Sequence, residues 1–160
     1  MGLRRRRRKG LRPNNQFLIK RTDNAHDLPL PSRQSELAAG MDLYANVNEP
    51  VIIKKGERVL IPTGIKIALP FGYEVQVRPR SGLALRHGIT VINAPGTVDA
   101  DYRGELCALL VNLGDEDFAV RRGNRIAQMV VARVEMVEFV EVKELPRSLR
   151  GTGGYGSTGK

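Results

Sequence analysis

A chain of 160 residues is long enough for one domain with its own hydrophobic core, and its single cysteine, Cys107, excludes an internal disulfide. The two histidines, His26 and His87, lie far apart, and no Cys/His cluster has the spacing of a zinc site. No apolar run approaches the roughly 20 residues that cross a bilayer. The expected location is therefore cytoplasmic.

The formal net charge of +9 is concentrated at the N-terminus. Arg4 to Arg8, Lys9 and Arg12 supply seven positive charges with no acidic residue among them, which leaves +2 for the rest of the chain. Because blocks of like charge repel one another, residues 1–14 are predicted to form a disordered basic tail. The alternative is an arm that binds nucleic acid, although the chain has no Trp and no aromatic residue interleaves with the basic run.

Beyond a polar stretch broken by Pro29 and Pro31, short β-like segments alternate with turn residues. They cover residues 51–53, 58–61, 65–69, 74–78, 89–92, 106–113, 126–134 and 137–142. Strands of this length with frequent turn signals predict an all-β barrel or sandwich. A short helical turn is expected only around residues 81–86. The apolar runs after residue 89 are too continuous for strands with one solvated face, which hints at cover by a partner subunit.

The last ten residues contain five of the 17 glycines and no aliphatic residue that could form a core. Such a terminus is commonly unstructured. Alternatively, closely spaced glycines let backbone N–H groups converge on phosphate oxygens, so the segment could order on an anion. The glycines alone do not decide between these two interpretations.

Five segments, in this order, resemble the five motifs of the trimeric dUTPase family. They are residues 39–45 (AGMDLYA), 78–84 (RPRSGLA), 93–105 (NAPGTVDADYRGE), 123–128 (GNRIAQ) and 150–159 (RGTGGYGSTG). The resemblance implies a jelly-roll-like distorted barrel, a homotrimer whose C-terminal arm is exchanged between subunits, and active sites at the subunit boundaries. It divides the chain into the tail 1–14, a barrel domain 15–145 and an arm 146–160 that closes the site.

The resemblance further implies hydrolysis of dUTP to dUMP and pyrophosphate by water attack at the α-phosphorus, which limits uracil in DNA and supplies dUMP for dTMP synthesis. Asp99 matches the carboxylate that orients the water, a service typically worth about 10² to 10⁴-fold. Taken alone, Asp99 would be interpreted as a turn former, and spacing does not exclude Asp101 from its role.

Phosphate contacts are expected from Arg80, Ser81, Gly82 and Gln128, because a guanidinium offers a bidentate fork to phosphate. Mg²⁺ is the expected cofactor, with no direct protein ligand. It would be held by the substrate phosphates and by waters, with Asp42 contacting those waters. Arg125 is interpreted as structural or salt-bridged rather than as a substrate contact.

Specificity is expected in the third motif, where Asn93 resembles the amide that reads uracil and Tyr102 resembles the residue packed against deoxyribose. Tyr102 is otherwise an ordinary half-buried strand aromatic. Arm residues expected to contact the substrate are Arg150, Gly154, Tyr155, Gly156, Ser157 and Thr158. Tyr155 stands where the family more often has Phe, and it retains the ability to stack on uracil.

Two other functions on the same fold remain as alternatives. A dCTP deaminase would need a catalytic glutamate ten residues after Asp99, where this chain has Leu109. A nucleotide-sensing protein without activity would be favoured by loss of Asp99 or of the arm, and both are present. A purely structural jelly roll explains the strands but not the five segments.

Overall fold

The computed structural model describes residues 17–154, and within that range the chain forms ten strands and one short helix. The strands are β1 (Leu18–Arg21), β2 (Gly40–Tyr44), β3 (Val51–Ile53), β4 (Arg58–Ala68), β5 (Tyr73–Arg78), β6 (Ile89–Val91), β7 (Gly96–Val98), β8 (Glu105–Asn112), β9 (Phe118–Val120) and β10 (Arg125–Arg133). The helix α1 spans Ser81–His87, as expected from the sequence. The all-β prediction is confirmed. No helix in this range has the length and apolar character to cross a membrane.

Two four-stranded antiparallel sheets face each other across the core. One has the order β1-β4-β8-β6 and the other β2-β10-β5-β7, while β3 and β9 form a separate pair. The fully buried side chains that fill the space between the sheets include Leu43, Ile61, Leu106, Leu110 and Ile126. Alternation along the strands sends these residues inward and their polar neighbours outward. This packing fixes the ends of β2, β5 and β10, which carry the site described below.

Strand β4 differs from the two strands expected at residues 58–61 and 65–69. The segment Pro62-Thr63-Gly64 between these two predicted strands has the composition of a turn, yet β4 runs through it without interruption. The pairing of β4 with β8 shifts register between Pro62 and Lys66, which marks a bulge. Thr63 is buried there and donates a 2.6 Å hydrogen bond to the carbonyl oxygen of Leu106, so the turn-like residues are absorbed into the sheet.

The strand predicted at residues 137–142 is wrong for this structure. β10 ends at Arg133, and one further backbone hydrogen bond joins Val134 to Gly72. Between residues 135 and 147 the chain makes no backbone hydrogen bond to any other described residue. Phe139 is 95% exposed and Val140 is 79% exposed. A strand-like sequence forms a strand only where it pairs with a neighbouring strand, and none of the described strands pairs with this segment.

Arg122 ties the loop after β9 to the loop after β1. Its guanidinium donates to both carboxylate oxygens of Asp27 at 2.6 and 2.9 Å, to the carbonyl of Asn24 at 2.6 Å and to the side chain of Asn46 at 2.8 Å. The side-chain hydrogen bond from Arg122 is the main cause that lowers the pKa of Asp27 to about 2. These loops are therefore pinned by charge as well as by turns.

Candidate active site

Strand β2, the start of α1 and strand β10 meet at an open pocket of about 420 Å³. In the sheet, Gln128 of β10 pairs with Asp42 of β2 on one side and with Arg78 of β5 on the other. Arg80 follows Arg78 by two residues and precedes α1 directly. The pocket is lined by Gln34, Ala38, Ala39, Gly40, Asp42, Arg80, Ser81, Gly82, Arg125 and Gln128. Three of the five sequence motifs thus meet within one subunit.

Asp42 anchors two arginines in this pocket. One carboxylate oxygen accepts a hydrogen bond of 3.1 Å from Nε of Arg80, and the other accepts one of 3.1 Å from a terminal nitrogen of Arg125. Arg80 also donates to the backbone carbonyl of Arg125 at 3.0 Å. Asp42 is buried, with 8% of its surface exposed, so its charge is well shielded from water. The expected salt-bridged position of Arg125 is what the structure shows.

The pocket has the chemistry of an anion-binding site. Arg80 has extended backbone angles (φ −91°, ψ 125°) and turns the chain into α1, which brings Ser81 and Gly82 to the pocket wall. Two guanidiniums, one hydroxyl and two amide side chains therefore line a single opening. Because one carboxylate faces two guanidiniums, positive charge remains in excess there. Charge-assisted hydrogen bonds from guanidiniums to phosphate are among the stronger contacts in proteins.

Gln128 lies at the boundary between this pocket and a second opening of about 430 Å³. Its amide nitrogen donates a 3.0 Å hydrogen bond to the carbonyl oxygen of Pro79, immediately before Arg80. The second opening is lined by Arg78, Pro79, Ala94, Pro95 and Gln128. Gln128 therefore joins β10 to the entry of α1. It also faces residues 92–95, which connect β6 of one sheet to β7 of the other and are called the β6–β7 turn below.

The third motif forms the β6–β7 turn, strand β7 and the loop that follows it. Asn93 lies exposed in the β6–β7 turn, and Asp99 lies exposed directly after β7. Asp101 is exposed in the same loop. Among the described residues, none forms a hydrogen bond or ion pair with the Asp99 side chain, whereas its backbone carbonyl accepts from the Tyr102 N–H at 3.1 Å. The Asp99 carboxylate is thus free to contact a water molecule.

Tyr102 is 45% exposed, and its hydroxyl donates to the carbonyl oxygen of Glu105 at 3.1 Å. The ring lies across Gly104, and a β-carbon at that position would overlap with the end of the ring. One edge of the aromatic ring is fixed by this arrangement, while the remaining surface faces solvent. The half-buried strand aromatic of the alternative interpretation does not describe it, since Tyr102 precedes β8 rather than lying within it.

Within one subunit Asp99 and the arginine pocket lie apart. Asp99 follows Val98, which pairs with Val75, whereas Gln128 pairs with Arg78 at the opposite end of β5. With strands about 4.8 Å apart and about 3.3 Å of rise per residue, Asp99 lies roughly 15 Å from Gln128 and on the order of 20 Å from Asp42. That is too far for one phosphate group to meet both.

Part of the fifth motif falls within the described range. Arg150 donates from Nε to the carbonyl oxygen of Gly153 at 2.8 Å, and the Gly153 N–H returns a hydrogen bond of 3.1 Å to the Arg150 carbonyl. Gly154 is exposed, and a β-carbon at this position would meet no atom within 4 Å. Tyr155, Gly156, Ser157 and Thr158 lie outside the described residues, as does the basic tail 1–14. The hydrogen bonds of the described part of the arm all lie within the arm itself.

Some features of the pocket were not singled out from the sequence. Gln34 and Ala38 line it because the loop before β2 folds over the pocket, and no local pattern announces that approach. The Pro79 carbonyl became a partner of Gln128 only through the pairing of β5 with β10. Leu109 of β8, at the position where a deaminase would need glutamate, pairs with Leu60 of β4 and carries no proton-transfer group.

The residues described do not build a metal site by themselves, since no group of three or more His, Cys, Asp or Glu side chains in residues 17–154 is placed to hold an ion. Asp42 is the one carboxylate in the arginine pocket, and both its oxygens are paired with guanidiniums. A carboxylate has about four acceptor positions, so Asp42 retains the capacity to accept from water molecules.

Comparison with known proteins gives a consistent result. The family model described as dUTPase matches residues 26–159. The deoxyuridine 5'-triphosphate nucleotidohydrolase of Caulobacter vibrioides is 56% identical over 143 residues, covering 88% of this chain and 92% of that protein. The protein of the same name from Thermoanaerobacter sp. is 57% identical over 141 residues, covering 88% of this chain and 95% of that protein.

Solved structures agree on the fold. The dUTPase of Staphylococcus bacteriophage 80alpha with dUPNHPP has a TM-score of 0.82 and 23% identity, and covers 92% of this chain and 100% of that chain. The dUTPase from phage phi11 of S. aureus has a TM-score of 0.73 and 20% identity, and covers 82% of this chain and 98% of that chain. At these identities the structures support the fold alone.

Proposed function

This chain belongs to the dUTPase family and hydrolyses dUTP to dUMP, and we propose that it does so at a site shared between subunits, with Asp99 directing the attacking water. The observation that carries this proposal is the composition of the arginine pocket. Arg80, Ser81 and Gln128 converge there, while the water-directing candidate Asp99 lies apart from them in the loop after β7. The two groups of residues are complementary, because one suits a triphosphate and the other suits the reacting water.

Phosphate binding in this proposal depends on Asp42 as much as on the arginines. By pairing with Arg80 and Arg125, Asp42 holds two flexible side chains in place before the substrate arrives. A preorganised guanidinium needs no reorganisation when charge develops on the phosphates, which is the main electrostatic requirement of phosphoryl transfer. Ser81 donates from its hydroxyl alongside Arg80. Arg150 of the arm would add a further cation once the arm closes.

Mg²⁺ would enter as the complex with dUTP rather than as a resident ion. Asp42 fits a role through bridging waters because its carboxylate lies in the pocket and keeps acceptor capacity beyond the two arginines. Magnesium commonly keeps several waters and binds through phosphates. When bound there, it would neutralise phosphate charge and stabilise the leaving pyrophosphate.

Asp99 would accept a proton from the water that attacks the α-phosphorus. The attack forms a new P–O bond, breaks the bond between the α-phosphorus and the bridging oxygen, and releases pyrophosphate. The exposed carboxylate of Asp99 has no competing side-chain partner among residues 17–154, which supports this role. The neighbouring carboxylate of Asp101 belongs to the same loop, so substitution must separate the two.

Residues of the third motif would recognise the base and the sugar. The amide of Asn93 can both donate and accept, which suits the edge of uracil. Tyr102 would pack against deoxyribose, where a 2′-hydroxyl would be buried without a partner at a cost of about 1–3 kcal/mol. Tyr155 would stack on the base, and Gly154, Gly156, Ser157 and Thr158 would contact the substrate as the arm closes over it.

A trimer would bring the two separated groups of residues together. An apolar groove of about 870 Å³, which we call the β1–β5 groove, is lined by residues that include Phe17, Ile67, Tyr73, Val75 and Met129. The segment 134–149 exposes apolar side chains of a matching kind, among them Val137, Phe139 and Val140. Exposed apolar surface of this extent favours association, and closed cyclic oligomers satisfy it symmetrically. We infer that the segment from one subunit packs on another.

The domain boundaries follow from the same reasoning and remain a proposal. The barrel domain would comprise residues 15–145, with its last part contributed to a neighbouring subunit, and residues 146–160 would form the closing arm. The basic tail 1–14 lies outside the described residues, and at most an affinity for nucleic acid is proposed for it. A cytoplasmic location is likewise proposed.

Product analysis tests the proposed function. The purified full-length protein is incubated with Mg²⁺ and, separately, with dUTP, dTTP, dCTP and UTP, and the nucleotides and pyrophosphate are then separated. We expect dUMP and pyrophosphate from dUTP, and a fall of about 10² to 10⁴-fold for Asp99→Asn. Asp101→Asn is the matched control and should remain close to wild type. Deamination of dCTP, or binding of dUTP without turnover, would overturn the proposal.

A further inference from the structure

Gly40 of β2 lies directly beneath the side chain of Gln128 of β10. In the β2–β10 pair, Gln128 lies directly opposite Asp42, and Val130 lies opposite Gly40. Gly40 is therefore the diagonal neighbour of Gln128 on the same face of the sheet, where a long side chain can reach across. The Gln128 amide lies over Gly40 in this way.

The nearest partner that a β-carbon at Gly40 would meet is Gln128. A β-carbon at position 40 would overlap with Oε1 of Gln128, and would come within 3.0 Å of its Cδ and 3.4 Å of its Cβ. All three of the nearest atoms belong to Gln128. Gly40 does not have a positive φ, so the backbone itself does not require glycine there. The need for glycine comes from the amide that lies above it.

We propose that Gly40 is a positioning residue of the active site, which sets the orientation of the Gln128 amide by offering it a surface without a side chain. This inference rests on the proposed function, in which Gln128 contacts the phosphates. With Oε1 against Gly40, the amide nitrogen of Gln128 faces Pro79 and donates to its carbonyl oxygen at 3.0 Å. The Pro79 carbonyl immediately precedes Arg80, so the amide also holds the entry of α1.

A methyl group at position 40 would move the amide without opening the fold. The atoms in its way are the end of a flexible side chain that lines an open pocket, so Gln128 can turn aside. Alanine also loses less backbone entropy than glycine on folding. The displaced amide would lose its hydrogen bond to Pro79 and would no longer lie between the pocket and the β6–β7 turn. A shift of about 1 Å in a positioning group can reduce the rate by roughly 10²-fold.

A double-mutant cycle tests the inference. Steady-state dUTP hydrolysis is measured for wild type, Gly40→Ala, Gln128→Ala and the double variant, together with the unfolding midpoint of each. We expect Gly40→Ala to reduce kcat/KM by roughly ten- to a hundredfold with an unfolding midpoint at or above that of wild type. In the Gln128→Ala background, the substitution at position 40 should cause no additional loss, because its nearest partner has been removed.

The cycle separates failure of this inference from failure of the proposed function. Inactivity of the wild type toward dUTP would refute the proposed function itself. If Gln128→Ala is impaired while Gly40→Ala matches wild type, Gly40 does not position the amide. Losses that multiply in the double variant would show that Gly40 acts on something other than Gln128, and would also overturn the inference. A purely structural role would lower the unfolding midpoint of Gly40→Ala in both backgrounds.

Discussion

The ring of Tyr102 lies across Gly104, where a β-carbon would overlap with the Tyr102 hydroxyl group. That hydroxyl is held by a 3.1 Å hydrogen bond to the carbonyl oxygen of Glu105. Because Gly104 does not have a positive φ, it is the ring and not the backbone that requires glycine at this position.

Gly104→Ala is therefore expected to push the Tyr102 ring out of place and weaken discrimination against ribose. The ratio of kcat/KM for dUTP to that for UTP should fall roughly tenfold, since the excluded 2′-hydroxyl would gain space or solvent. This ratio is measured for wild type and for Gly104→Ala at the same magnesium concentration. Tyr102→Ala is the matched comparison and should reduce the ratio in the same direction. An unchanged ratio in Gly104→Ala would contradict the assignment of Tyr102 to the sugar.

Asp42→Asn tests whether the buried carboxylate orients the two arginines. The substitution keeps the shape but removes the charge that Arg80 and Arg125 share, so we expect kcat/KM to fall by at least tenfold. The free energy of unfolding should decrease by about 1–3 kcal/mol, because polar groups in the pocket lose a partner. Denaturant titration and steady-state kinetics measure the two effects.

The matched control for Asp42→Asn is Asp115→Asn, which removes a carboxylate from the exposed ion pair with Lys55 at 2.7 Å. An exposed pair of this kind contributes little to stability, so activity and unfolding should stay close to wild type. If Asp42→Asn behaved like Asp115→Asn, the arginines would not depend on Asp42 for their position.

Acid should erase the contribution of the Asp27–Arg122 ion pair. The pKa of Asp27 falls from 3.8 to about 2 in the folded protein, chiefly through the hydrogen bond from Arg122. A lowered pKa gives stability that is fully present above about pH 4 and is lost as the pH falls toward 2. Wild type should therefore be more stable than Asp27→Asn at pH 7, with the difference shrinking between pH 4 and pH 2.

Urea unfolding of the two proteins at one protein concentration measures this difference, since oligomerisation makes the midpoint depend on concentration. A gap between wild type and Asp27→Asn that persisted unchanged below pH 2 would show that the carboxylate acts through packing and not through its charge.

Removal of residues 150–160 should abolish most turnover and leave the fold intact. The described part of this segment bonds only within itself and to Ser148, so its loss exposes no core. Without the arm, the substrate would remain open to water and would lose the expected contacts of Arg150 and Tyr155. Circular dichroism and size-exclusion chromatography check the fold. A truncated protein with full activity would refute arm closure.

The sequence predicted the elements whose signals are local. Residues 51–53 form β3 and residues 81–86 fall within α1, because β-branched runs and helix-compatible residues act at short range. The strands β1, β2, β7 and β9 were not predicted, because their sequences carry no strong local signal and they form only where a neighbouring strand supplies the hydrogen bonds. The apparent turn at Pro62 was overridden for the same reason.

For the candidate site, the sequence predicted which residues belong to it but not how they contact one another. The motifs named Asp42, Arg80 and Gln128 together, and the structure brings these three into one pocket. Their mutual contacts were not predictable, because the pairing of Asp42 with two arginines depends on how β2, α1 and β10 meet. The role of Gly40 was hidden for a related reason: a glycine in a strand gives no sign of which side chain lies above it.

Mixing two inactive variants tests the shared site most directly. Asp99→Asn and Arg80→Ala subunits are denatured together, refolded at equal concentrations, and assayed for dUTP hydrolysis beside each variant refolded alone. If each site takes Asp99 from one subunit and Arg80 from another, about a quarter of the sites in randomly assembled trimers would be complete. The mixture should then recover about a quarter of wild-type activity. A mixture as inactive as the separate variants would contradict a site built across subunits.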